Sequence, residues 1–145
     1  MRLMICGSMY FAKEMLKAKK TLEELGHEVR VPSDVYQCIE NPDLNMDLEY
    51  CLDTDIDKKD FNQVAESEGI VVLNYPKNNI IGYIGGASLM EIGIARHLGK
   101  KIFLLYNPPS EKDLRYALEV KVSRPIILNG DFKNINNYID NRVRS

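Results

Sequence analysis

The period of apolar residues along this chain switches repeatedly, and the switches predict strands alternating with helices. Arg2 to Cys6 is a short apolar run stopped by Gly7, the pattern of a buried strand. From Tyr10 to Leu25, Phe11, Met15, Leu16, Ala18, Leu22 and Leu25 return at helical spacing, and Gly26 stands where such a helix ends. HEVRVP predicts a second strand closed by Pro32, whereas Ser33 to Asp53 keeps no period and reads as a loop with a short helix. Asp57 to Glu66 reads as a helix, GIVVLNY as a central strand, and Pro76 to Gly86 as a loop rich in Asn and Gly. A helix then runs from the Gly85-Gly86 pair towards Leu98, followed by KKIFLLY as a fourth strand and a Pro-Pro loop. Glu111 to Val120 predicts a helix, RPIILNG a fifth strand, and Phe132 to Val143 a closing helix.

Strands without polar alternation, separated by helices, imply a mostly parallel sheet covered on both faces. The pattern is α/β: one doubly wound, flavodoxin-like or Rossmann-like domain over residues 1–145, with about five strands. Ligands of such sheets sit beyond the carboxyl ends of the strands, near the point where strand order reverses. That rule selects Gly7 to Tyr10, Asn74 to Ser88, and Asn107 to Ser110.

Composition narrows the partners. A net charge of −2, with both signs interspersed, offers no basic face for nucleic acid or an anionic membrane. The opening residues lack a signal-peptide core, and no run approaches the ~20 apolar residues of a membrane span, so the expected location is cytoplasmic. Cys6, Cys38 and Cys51 lack metal-ligand spacing and read as reduced thiols, Cys6 within the core. The acids of DLNMDLEYCLDTDIDKKD lack the spacing and glycine of a calcium loop, so neither metal nor cofactor is expected. His27 and His97 read as solvated surface residues.

Three features carry candidate chemistry. Gly7 and Ser8 open the first helix, where free N–H groups and the helix dipole suit a phosphate, or where Ser8 simply caps a tight turn. The connection from Asn74 to Ser88 is longer than such loops usually are, and its Asn residues and Tyr83 suit hydrogen bonding to a base or sugar, or merely satisfy turns. Glu91 is the third. Ser88-Leu89-Met90-Glu91 matches the capping box, in which Glu91 bonds back to the Ser88 N–H. The glycine pair equally allows a helix start at Gly86 or Ala87. Glu91 then lies beyond the cap and shares a face with Ile94, Ala95 and Leu98, a partly desolvated acid at the functional edge.

A strand ending in C-G-S, a central IVVLN strand, the glycine turn into MEIGIARHLGKKIFLL and a Pro-containing loop ending in Ser together resemble the nucleoside 2-deoxyribosyltransferase superfamily. Within it the chain is most similar to the 2'-deoxynucleoside 5'-phosphate N-hydrolases, over Met1 to Leu118. The resemblance implies an enzyme cleaving the N-glycosidic bond of a nucleotide, working as a homodimer or higher oligomer. Glu91 matches the catalytic glutamate. Gly7 and Ser8, with Tyr10 nearby, match the loop around sugar and phosphate. Gly85, Gly86 and Ser88 match the phosphate-holding turn, with Asn74 and Tyr83 beside it. Ser110 matches a serine that reaches the neighbouring subunit's phosphate. Where the hydrolases carry a strand-one tyrosine this chain has Met4. Their aspartate at the start of the central strand is Gly69 here, after Glu68, and their histidine after strand two is replaced in VPSDV. Tyr10, Tyr83, Asp34 and Asp55 are the candidates to stand in. Alternative functions are a deoxyribosyltransferase, a phosphoribohydrolase of AMP-type nucleotides, and a nucleotide-binding module without catalysis.

Overall fold

The computed structural model describes residues 1–139. Five strands form one parallel sheet: β1 Arg2–Gly7, β2 Glu28–Arg30, β3 Gly69–Leu73, β4 Lys101–Leu104 and β5 Ile126–Ile127, in the order β2-β1-β3-β4-β5. Six α-helices connect or flank them: α1 Ala12–Glu24, α2 Val35–Glu40, α3 Leu48–Thr54, α4 Ile56–Glu66, α5 Gly86–His97 and α6 Ala117–Val122.

Period-two geometry sorts the strand residues between two cores. Leu3, Ile5, Val71, Leu73 and Phe103 face a layer built on α1, with Ala12, Met15, Ala18 and Leu22. Met4, Cys6, Ile70, Val72, Ile102 and Leu104 face the opposite layer, with Val64 of α4, Ile92 and Ala95 of α5, and Val120 of α6. The doubly wound α/β fold expected from the strand pattern is therefore the observed one. The chain crosses from β2 over β1 to reach β3, so strand order reverses between β1 and β3. That gap is the switch-point crevice.

Three segments differ from the expectation. Residues 33–54 hold two helices, α2 and α3, where one short helix was read. Each is at most two turns long and gains its stability from tertiary contact, so a sequence period has little room to show. The helix expected over Glu111–Val120 starts only at Ala117, because residues 110–114 close turns of their own on the Ser110 carbonyl. The closing segment is a 3₁₀ helix, Phe132–Tyr138, and the expected extension to Val143 lies outside the described residues. His27, expected at the surface, is only 5% exposed. Its ring bonds the Met1 amino terminus at 3.1 Å and Asn136 Oδ1 at 2.7 Å, and burial lowers its pKa. No described helix is long and apolar enough to cross a membrane.

Candidate active site

The carboxyl ends of β1 and β3 lie side by side in parallel register. Gly7 pairs with Leu73, with φ at +151°, and a Cβ there would sit 3.2 Å from the Leu73 carbonyl oxygen. The chain then turns at Ser8, whose Oγ accepts the Tyr10 N–H at 3.3 Å and caps the short 3₁₀ turn leading into α1. Opposite, the β3–α5 connection doubles back at a tight turn in which Lys77 and Ile80 exchange both backbone hydrogen bonds. Asn78 and Asn79 occupy its two left-handed positions, with φ of 54° and 61°. Their side-chain type is thus set by the turn.

Glu91 is settled by where α5 begins. Gly85 is the N-cap and Gly86 the first helical residue, so Glu91 lies in the second turn, past the reach of a capping box. The capping reading is overturned. The carboxyl is 6% exposed and turns inward between α5 and β1, beside the Cys6 thiol, which itself donates to the Met4 carbonyl. Burial, and then the charge of Asp60, push its pKa up to about 8, while the neighbouring Cys6 thiol opposes the rise.

Asp60 projects from α4, on the face that carries Ile56 and Val64, and reaches the same inner space. Its Oδ1 accepts the Ser33 N–H at 3.4 Å. Burial is the main reason its pKa rises to about 6, against the lowering effect of the Ser33 N–H. Beside it stands Asp34, 6% exposed, whose Oδ2 accepts the Tyr50 hydroxyl at 2.9 Å and the Cys38 thiol at 3.5 Å. The thiol is pushed up to about 12 by burial and by Asp34, so it stays protonated. Three carboxyls from three elements thus converge beneath the crevice, and their mutual repulsion separates the ionisations of Glu91 and Asp60. Replacing Asp60 with Asn removes that repulsion. Titration of the Glu91 carboxyl by carbon-13 NMR should then give a midpoint below the wild-type one, still above the ordinary carboxylate range because burial persists.

Several candidate residues fall at the crevice and others do not. Ser8, Tyr10 and Tyr83 line its mouth around Lys77, and Gly85 and Gly86 open α5 beside it. Ser88 is buried in the first turn of α5. Asn74, expected to meet a base or sugar, is fully buried and its amide is spent on the β4–α6 connection: Nδ2 donates to the Tyr106 and Asn107 carbonyls, and Oδ1 accepts the Tyr106 N–H. It ties two loops together. Ser110 is exposed, and its Oγ accepts the Asp113 N–H at 3.1 Å. Asp55 is exposed in a left-handed cap, and Glu68 accepts the Arg2 N–H, so neither joins the carboxyl cluster. Asp34 does join it. The residues that sequence reasoning missed are Asp60 and Lys77. Asp60 had a legible signal, an acid in the apolar stripe of its helix at four-residue spacing from Ile56 and Val64.

Among the described residues no group of His, Cys, Asp and Glu is arranged to hold a metal ion. No protein-family model matches the chain, and no curated protein matches it either. Among solved structures it is similar to the Clostridium botulinum CMP N-glycosidase BcmB, at a TM-score of 0.54 and 19% identity, over 96% of this chain and 100% of that one. At that identity the likeness is one of fold, and it extends over nearly the whole of both chains.

Proposed function

We propose that this protein is an N-glycosidase that cleaves the base–sugar bond of a nucleoside 5'-monophosphate through Glu91. The observation that carries the reading is the placement of Glu91: a buried carboxyl at the switch-point edge, freed from any capping role and close enough to Asp60 to feel its charge. A solved protein of the same fold being a CMP N-glycosidase supports it.

The chemistry follows from the charge that develops. As the C1'–N bond stretches, its electron pair leaves with the base and the sugar gains oxocarbenium character. A carboxylate under the anomeric carbon offsets that charge, or bonds to it as a glycosyl ester. Glu91 must be ionised before this step: its proton passes to solvent, and the carboxylate then meets the nascent cation, so the raised pKa makes the reaction faster at higher pH. Water then supplies a hydroxyl to C1', and its remaining proton accounts for the one taken up by the departing base. Asp60, whose charge reaches Glu91, is the group suited to relay that proton.

Chromatography of reaction mixtures with ribo- and deoxyribonucleoside 5'-monophosphates, with and without a second free base, tests the reading. Free base and sugar 5-phosphate are the expected products. A new nucleotide formed from the added base would make the protein a transferase, and tight binding without any base release would make it a binding module.

A further inference from the structure

Lys77 is the one side chain at the crevice mouth whose surroundings the carboxyl chemistry leaves unexplained. The lysine is half-buried, and its ammonium donates to Ser8 Oγ at 2.9 Å. Two tyrosine rings flank it, Tyr10 with its centroid 5.6 Å away and Tyr83 at 5.4 Å. Among the described residues no carboxylate lies within ion-pair distance of it: the ion pairs are Lys19–Glu23, Arg30–Glu66 and Lys121–Glu111. A partly desolvated ammonium with one hydroxyl partner keeps donors free for an anion.

Its setting aims those donors at the crevice. The tight turn from Lys77 to Ile80 fixes the backbone that carries it, and its bond to Ser8 spans the gap between the β1 and β3 loops. Tyr83 continues the contact to Gly85, where a Cβ would lie 3.6 Å from the Tyr83 hydroxyl. Gly85 caps α5 without any side-chain bond to the helix, so the first N–H groups of a twelve-residue helix stand next to the same mouth. Positive potential is thus gathered at the rim, and the three carboxyls lie inside. A substrate with a dianionic end and a neutral sugar meets attraction at the rim and repulsion at the carboxyls, which fixes the direction in which it enters.

We propose that Lys77 reads the 5'-phosphate and makes the site select nucleoside monophosphates over free nucleosides. The inference rests on the N-glycosidase reading above for the identity of the substrate. Losing one charge-assisted contact to the phosphate weakens binding by about tenfold or more.

The test uses Lys77→Met and Lys77→Arg with the four ribonucleoside 5'-monophosphates and their nucleosides, read both as base release and as calorimetric binding. The expected result is a KM or Kd for the preferred monophosphate raised about tenfold or more in Lys77→Met and largely restored in Lys77→Arg. The matching nucleoside should be unaffected, and competition by inorganic phosphate should be lost. Equal effects on nucleotide and nucleoside would make Lys77 a latch between loops and overturn the inference. So would a wild-type protein that binds both alike, or neither. If nucleotides bind with a Lys77-dependent preference but no base is released, the inference stands and the N-glycosidase reading falls.

Discussion

Glu91→Gln is expected to abolish base release and to leave the protein at least as stable as the wild type. The loss should be on the order of 10²- to 10⁴-fold in kcat, the range contributed by a positioned acid–base or electrostatic group. Gln keeps the shape and a polar tip but can carry no negative charge and form no ester, so any role as nucleophile or oxocarbenium stabiliser disappears. Stability moves the other way. The folded protein holds Glu91 protonated up to about pH 8, against an ordinary value of 4.5. Between those values the native state binds a proton that the unfolded chain has released, so wild-type stability falls as pH rises through that window and levels off above it. The amide has no such penalty, and its melting temperature at pH 8 should exceed that of the wild type. A structural acid would give the opposite result, with loss of stability on replacement. Thermal melts at pH 5 and pH 8, run beside the activity assay, separate the two.

Asn74→Leu is expected to cost stability by about 3 kcal/mol, lowering the melting temperature by roughly 10 °C. Asn74 is fully buried and makes three hydrogen bonds to the backbone of Tyr106 and Asn107. A leucine fills a similar volume but leaves one N–H and two carbonyls without their partner, each worth about 1–3 kcal/mol when desolvated. Tyr106 and Asn107 are themselves exposed, so water recovers part of the loss and the lower end of the sum applies. The same seam is closed by Gly82, at φ +75°, where a Cβ would overlap the Asn107 carbonyl oxygen. Gly82→Ala should therefore destabilise the same pair of loops. Differential scanning calorimetry of Asn74→Leu reads the prediction, and a melting temperature within 2 °C or so of wild type would show the bonds to be replaceable.

Much of the architecture was legible because it depends on local period. The apolar runs at Arg2 to Cys6 and Gly69 to Leu73 have no polar alternation, which is what strands covered on both faces require, and the switch-point crevice follows from their order. Glu91 was only half legible. The same four residues, Ser88 to Glu91, encode a capping box or a buried acid, and the choice turns on whether the helix starts at Gly86 or three residues later. Backbone geometry decides that. His27 and Asn74 were misread for a related reason: each is polar and lies at a strand edge, yet each is buried by partners far along the chain, Asn136 and the β4–α6 loop. The long-range assembly of Asp34, Asp60 and Glu91 could not be seen either, since Asp34 follows β2 while Asp60 and Glu91 come from two helices brought together by the crossover.

The most direct measurement is base release from nucleoside 5'-monophosphates by wild-type protein and Glu91→Gln in parallel, at matched concentration and with melts confirming that both are folded. Free base should accumulate with the wild type, at a rate that rises with pH as Glu91 ionises, and should stay at background with Glu91→Gln. Release at equal rates by both proteins, or by neither, would contradict the role given to Glu91.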